Sequence, residues 1–435
     1  MKKMSMKKIC VLTLGCPKNI VDSEKIISIL SNNFIFTENP NDADVILLNT
    51  CGFIQSAINE TLEYIYKLEK LKIIKPNIKI FVFGCAVTRL VNNGSNLAEQ
   101  FQFIDKFVPL KNVNEIIDEI NTTQSDQKIN LENVIRTKNM TPKYYAYLKI
   151  SDGCNRQCSF CTIPSIKGKY KSVAKKMLIK EAESLVNIGV KEIILIGQET
   201  SNYGKDIGSS LYELLLDLTN IKGLLWIRIM YSHPMSFDLR VLDLMQKHKN
   251  ICRYIDIPLQ HIDDRILRAM NRNVTTDFSK KLILEMRRKV TDIHIRSTFI
   301  TGFPSETTKE HNGLLDFLSE MKLERVGVFK YSRELDTAAF DLGKQVSEHT
   351  KQKRFDELMI MQQQISLENN RNLIGKSLKV LVEDDYDEKY FIGRSEFDAP
   401  EIDNCVYVEK NNRIKMGDIV MVEIFDAEEY GCFGR

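Results

Sequence analysis

Three cysteines, Cys154, Cys158 and Cys161, are crowded into one short stretch, SDGCNRQCSFCTIP. A set this tight commits one loop to holding something, and the chain around it has to build a protected place for that loop. Three thiolates at i, i+4 and i+7 can converge on three irons of a cubane cluster and leave the fourth iron open to a small molecule. Zinc is the rival for any close cysteine group. Structural zinc, however, usually takes a fourth ligand at a second paired spacing, and none follows here.

Ten cysteines lie at uneven spacings in 435 residues. Cytosolic thiols are kept reduced, so ligation is a better expectation than a disulfide framework. The start MKKMSMKKIC is basic but leads straight into a short apolar strand instead of a secretory signal, and no run approaches eighteen apolar residues, so a cytoplasmic chain without membrane association is expected. An apolar content of 43% with 27% charged residues suits two or three globular domains. The net charge of +3 gives no general pull toward nucleic acid.

Residues 1–135 read as repeated βαβ units. The apolar runs KICVLTL, DVILLNT and KIFVFG have the continuous hydrophobicity of buried parallel strands, and helical patterns such as SEKIISIL and QSAINETLEYIYKLEKL separate them. A cysteine follows close behind each run: Cys16, Cys51 and Cys85, with Gly15, Gly52 and Gly84 beside them. The carboxyl ends of strands line the ligand crevice of an open α/β sheet, so these three are expected to meet there. Cys10, Cys252 and Cys405 lie inside apolar or strand-like runs and are expected to be small core residues. The polar stretch 121–140 reads as a linker.

From 141 to 365 six strand-like runs alternate with helical ones, which favours a partial (β/α)6 barrel. Polar residues follow nearly every strand, among them Gln198 and Glu199, Ser232 and His233, Gln260 and His261, and would ring the carboxyl-end mouth. The stretch 351–375 is expected to be a packed connecting helix, with Phe355, Leu358, Met359 and Ile365 on one face. From 372 to 435 the hydrophobic period changes to two, and four alternating strands suggest a small antiparallel barrel. Residues 371–435 hold nine Lys plus Arg against fifteen Asp plus Glu, an excess of six acids (15 − 9 = 6). Such a module suits a basic protein better than a phosphate backbone.

The run CNRQCSFC, with Phe160 just before the last cysteine, resembles the signature of the radical S-adenosylmethionine (SAM) superfamily. The resemblance implies that Cys154, Cys158 and Cys161 hold a 4Fe-4S cluster and that SAM chelates the open iron. One electron then cleaves SAM to methionine and a 5′-deoxyadenosyl radical. It further implies cofactor-binding roles for Phe160, Gln198 and Glu199, the last at the position that holds the methionine amino group.

The whole chain, with the dispersed cysteines first, the radical SAM signature next and a terminal β domain last, resembles the methylthiotransferase family. The strings LGCPKNIVDSE, YIDIPLQHI, GVFKYSRELDT and GRSEFDAPEID resemble its branch that modifies an aspartate of a ribosomal protein. Pro17 and Lys18 stand where the transfer-RNA branch typically carries glutamine and methionine. The family usually shows aspartate where Glu199 stands, and arginines where Lys167 and Val173 stand.

The resemblance implies a second 4Fe-4S cluster on Cys16, Cys51 and Cys85, carrying the sulfur to be inserted. It also implies a C-terminal TRAM module and methylthiolation at the β-carbon of an aspartate on small-subunit ribosomal protein twelve. A low-potential donor such as flavodoxin or ferredoxin, and a monomeric enzyme, are expected with it. A transfer-RNA adenosine methylthiotransferase is the alternative, and a non-enzymatic iron–sulfur or zinc scaffold is a third reading.

Overall fold

The computed structural model describes residues 6–120, 131–137 and 140–435. Most of the expected linker at 121–140 therefore lies outside the described residues. The chain divides into two compact units. The first comprises Met1–Met140, Tyr147–Ile188 and Ser332–Phe340, and the second Thr141–Ala146, Gly189–Tyr331 and Asp341–Arg435.

The first unit is built on a five-stranded parallel sheet. Its strands are β1 (Lys8–Thr13), β2 (Ile35–Phe36), β3 (Val45–Thr50), β4 (Lys79–Gly84) and β5 (Lys106–Pro109), in the order β2-β1-β3-β4-β5. All six residues of β3 are buried, as expected of a central strand with both faces covered. One face packs Ile46, Leu48, Ile80 and Val82 against Ile65 and Leu68 of helix Gln55–Ile74. The other packs Leu47, Phe81 and Phe83 against Ile26 and Leu30 of helix Pro17–Leu30.

Register decides where the cysteines go. Thr13 lies opposite Asn49, Asn49 opposite Phe83, and Thr50 opposite Gly84. Paired parallel strands run about 4.8 Å apart. Cys51 and Cys85, each the first residue after its strand, therefore leave the sheet side by side.

The second unit contains the strands Glu192–Ile196, Trp226–Ile229, Ile251–Asp256, His294–Thr301 and Arg325–Lys330, paired in parallel in that order. Tyr145–Lys149, whose first residues belong to this unit, is the sixth strand, at the edge beside Glu192–Ile196. The expected partial barrel is what forms: among the described residues the two outer strands do not pair, so the sheet stays open.

The C-terminal strands close into a five-stranded barrel in the order Ser377–Asp385, Tyr390–Ser395, Cys405–Glu409, Gly431–Gly434, Ile419–Ala427. Four strands were expected. The fifth, Gly431–Gly434, closes the ring by pairing in parallel with Cys405–Glu409 and antiparallel with Ile419–Ala427. Cys432 lies in the barrel core with Val380, Val406 and Val422.

Within the second unit a seam of buried ion pairs runs along this barrel. Glu192 binds Arg228 and Arg394, each at 2.7 Å. Arg325 holds Asp398 at 2.7 Å, and Tyr254 donates its hydroxyl to Asp403 at 2.7 Å. Tyr254 of YIDIPLQHI and Asp403 of GRSEFDAPEID thus meet in an internal seam, and much of the second string faces arginines of the barrel strands. Glu396, Asp398 and Asp403 are paired with Arg253, Arg325 and Arg296 outside the barrel, and the barrel's Arg394 with Glu192, so the acidic excess left for a partner falls from six to four (12 − 8 = 4). The connecting helix, Glu348–Arg371, also differs from expectation: it buries Lys351, Arg354, Leu358, Gln362 and Ile365, while Phe355 and Met359 are only half-buried. Arg354 and Lys351 turn inward because Glu306 and the Tyr331 carbonyl accept from them.

Candidate active site

Asn19 ties the three strand ends of the dispersed cysteine set together. Fully buried in the helix that follows Cys16, it donates to the carbonyls of Leu14 (2.9 Å) and Thr50 (3.1 Å). Its side-chain oxygen accepts from the Cys85 thiol at 3.8 Å. Asn49 donates back to the Asn19 carbonyl (2.9 Å) and to Ser23 (3.0 Å). Neither asparagine was singled out from sequence, although a polar residue inside the apolar run DVILLNT is the signal that could have found Asn49.

Gly15 has φ +86°, and a Cβ there would stand 2.5 Å from the Cys51 Cβ and 2.7 Å from its sulfur. A left-handed backbone costs a non-glycine residue roughly 1–2 kcal/mol even without a clash. Gly15→Ala is expected to push the Cys51 thiol aside. Reconstituted protein should then hold roughly four irons per chain in place of roughly eight, one cubane being lost, as iron and sulfide analysis would record.

Cys16 and Cys51 are half-buried, and Cys85 is buried. Burial pushes the Cys85 thiol up to about 12, against a downward pull from Lys167, and burial also raises Cys51. Thiolates at these positions need positive charge to offset the burial, which a metal centre held there would supply.

The tight set lies in the same unit. The Cys154 amide donates to the Gly168 carbonyl (3.1 Å), the Cys161 amide to the Cys158 carbonyl (3.1 Å), and the Cys154 sulfur accepts from the Arg156 amide (3.4 Å). Cys154, Cys158 and Cys161 are all half-buried, as is Phe160, whereas Cys10 and Cys252 are sealed in cores as expected; Cys405, also expected in a core, is only half-buried, and Cys432 is buried instead. Among the described residues no group of three or more His, Cys, Asp or Glu is arranged to hold a metal ion.

Segment Ser332–Phe340 reaches both cysteine sets inside this unit. Glu334 accepts from the Gln55 amide (3.0 Å) and from Arg89 (2.7 Å), and Arg89 also binds Asp336 and the Gly52 carbonyl (3.0 Å). The Ala339 amide donates to the Ser159 carbonyl at 2.7 Å, and the Thr162 hydroxyl to the Phe53 carbonyl at 2.8 Å. The ELD of GVFKYSRELDT thus holds the Cys51 loop against the helix that begins at Cys85.

In the second unit, Glu199 is buried and accepts from the Ser236 hydroxyl. Among the described residues the side-chain oxygen of the neighbouring Gln198 is buried without a hydrogen-bond partner, an acceptor left over for a donor such as an ammonium group. Tyr231, Gln260 and Ser305 all have positive φ (59°, 71° and 68°) just beyond the ends of three barrel strands. Such strain collects where a backbone is held for function. His261 is fully buried, and burial lowers its pKa to about 4, so it is neutral at pH 7.

Comparison with known proteins agrees with this architecture. Residues 8–108 match the model described as uncharacterized protein family UPF0004, 148–318 the radical SAM superfamily and 374–435 the TRAM domain. The ribosomal protein uS12 methylthiotransferase RimO of Thermoanaerobacter sp. (strain X514) is 39% identical over 99% of this chain and 100% of its own length. The chain belongs to the RimO family. The member from Chlorobaculum tepidum is 40% identical over 98% of this chain and 97% of its own. Among solved structures, the radical SAM methyltransferase TsrM from Kitasatospora setae shares the fold, with a TM-score of 0.55 at 14% identity over 77% of each chain. No helix among the described residues is long and apolar enough to cross a membrane.

Proposed function

We propose that this RimO-family chain is a radical SAM methylthiotransferase that adds sulfur and a methyl group at the β-carbon of an aspartate of ribosomal protein uS12, giving 3-methylthioaspartate. One observation carries the reading: identity of 36–40% over nearly the whole chain to proteins named for that activity. The charge of the C-terminal barrel adds less than its composition suggested, since part of the acidic excess is spent inside the fold.

In this reading residues 1–135 carry the auxiliary cluster, 141–365 the radical SAM domain and 372–435 the TRAM domain that recognises the substrate. Cys154, Cys158 and Cys161 hold the SAM-cleaving 4Fe-4S cluster, and Cys16, Cys51 and Cys85 hold the second. Bound clusters and SAM supply the one-electron chemistry, the transferred sulfur and the methyl group. The chain's own part is to hold and shield. Gln198 offers its unpartnered oxygen and Glu199 its buried carboxylate to the SAM amino group, with Phe160 beside the third cysteine of the tight set. Asn19 and Asn49 fix the strand ends, and Arg89 with Glu334 and Asp336 clamps the Cys51 loop. The enzyme works as a cytoplasmic monomer fed by a low-potential donor of the flavodoxin or ferredoxin type.

The test is anaerobic incubation of reconstituted protein with SAM, reductant and purified uS12. The reading expects 5′-deoxyadenosine together with methylthiolated uS12 by mass spectrometry. SAM cleavage with uS12 unmodified and 2-methylthio-adenosine formed in added transfer RNA would replace it with an RNA substrate.

A further inference from the structure

Each cysteine loop has an anchor of its own, the Gly168 carbonyl for Cys154 and the end of β3 for Cys51, and the two loops are also fastened to each other. Thr162 follows Cys161 directly and is 1% exposed; its hydroxyl donates to the carbonyl of Phe53, two residues past Cys51, at 2.8 Å. Asn92, at the end of the helix Cys85–Asn92, donates to the Ser165 carbonyl at 3.0 Å, in the helix Ile163–Lys167 that follows the tight set. All of these residues belong to the first unit.

Segment Ser332–Phe340 straps the same two loops from behind. Asp336 accepts from Arg89 at 3.0 Å on one side and from the Ser165 hydroxyl at 3.2 Å on the other. Arg89 lies one helical turn past Cys85 and also donates to the carbonyl of Gly52, the residue after Cys51, at 3.0 Å. The fully buried Ala339 amide donates to the Ser159 carbonyl, between Cys158 and Cys161. Bonds between a guanidinium and carboxylates are about twice as strong as neutral ones, and a satisfied buried network is rigid. The anchors hold each loop in place, and the cross-loop bonds hold one loop at a fixed distance from the other.

We propose that Thr162, backed by the strap Ser332–Phe340, is a positioning residue that keeps the two cysteine sets at one separation, and that this separation couples SAM cleavage at one set to sulfur insertion from the other. The inference rests on the two-cluster reading. Reacting groups carried on separate loops are sensitive to such placement, since an error of about 1 Å can cost roughly 100-fold in rate.

The test uses the full chain reconstituted with iron and sulfide. Thr162→Val keeps the branched shape of the side chain and removes the hydroxyl, whereas Thr162→Ser keeps the hydroxyl. Two quantities are read: 5′-deoxyadenosine formed per methylthiolated uS12, and the magnetic interaction between the reduced clusters in electron paramagnetic resonance. In Thr162→Val the ratio is expected to rise at least about tenfold and the magnetic interaction to change, with iron content as in the wild type. Thr162→Ser should keep both at the wild-type values. An unmoved ratio and interaction in Thr162→Val, or an equal change in Thr162→Ser, overturns the inference. A loss of iron with both products falling together makes Thr162 merely structural and overturns it too. If Thr162→Val does not fold, Asp336→Asn decides by the same two quantities: a raised ratio with a changed interaction supports the strap, and unmoved values refute it. A wild-type chain holding only about four irons defeats the two-cluster reading and the inference with it, whereas about eight irons with both quantities unmoved in Thr162→Val sinks the inference alone.

Discussion

Cys154→Ala is expected to abolish SAM cleavage, whereas Cys51→Ala should leave cleavage intact and lose sulfur insertion. The two cysteines sit in one compact unit, yet on separate loops with separate supports. Cys154 is anchored through the Gly168 carbonyl, and Cys51 leaves β3 opposite the strand end that leads into Cys85. Truncating either thiol removes one ligand from one set and leaves the other loop's hydrogen bonds in place. Assays for 5′-deoxyadenosine and for methylthiolated uS12, run on the same preparations, separate the outcomes. A Cys51 variant that still methylthiolates uS12 at the unmodified rate would eliminate the two-cluster scheme.

The largest loss of stability is expected at Arg136. Its guanidinium is fully buried in the first unit, donates to Glu24 and Glu181, and reaches the Tyr147 carbonyl at 2.5 Å. Glu24 also accepts from the Met140 amide at 2.6 Å. Burial and the two carboxylates pull the Arg136 pKa in opposite directions, and the carboxylates prevail, so the group stays charged. Arg136→Ala leaves Glu24 without a cation and Glu181 with only the more distant Lys25 at 3.9 Å, and breaking such a buried arrangement by removing one partner costs about 3–5 kcal/mol. Arg240 is the control: it too forms a short ion pair, with Asp238 at 2.6 Å, but its side chain is 64% exposed. Solvent screens an exposed pair of this kind, so it adds little to stability. Urea denaturation followed by circular dichroism should show a marked drop in midpoint for Arg136→Ala and almost none for Arg240→Ala. Equal midpoints for the two variants would show that the buried triad carries no net stability.

The strand-end cysteines were readable from sequence because each apolar run stops close before its cysteine, and strand length alone then sets where the thiol emerges. The tight set was readable from spacing within one loop. What sequence did not reveal depends on contacts between distant segments. Arg89 meets Glu334 and Asp336, and Lys149 meets Asp22, across separations that no local pattern encodes. Helix Glu348–Arg371 shows the same effect: hydrophobic period chose Phe355 and Met359, but ion-paired Arg354 and hydrogen-bonded Lys351 took the buried face. Strand Gly431–Gly434 escaped notice because GCFG is too short to alternate and its parallel partner, Cys405–Glu409, lies across an intervening strand. The acidic excess of the C-terminal barrel was counted correctly but partly misplaced, since charge totals do not tell a buried pair from a solvated surface.

The central claim, that the two cysteine sets serve a modification of ribosomal protein uS12, is tested most directly by the mass spectrum of uS12 from cells lacking this chain. The spectrum is compared after complementation with the wild-type chain and with Cys51→Ala. A methylthiolated aspartate peptide is expected with the wild-type chain, and only the unmodified peptide without it or with Cys51→Ala. An unmodified peptide in all three strains, or the methylthio group present without the chain, would contradict it.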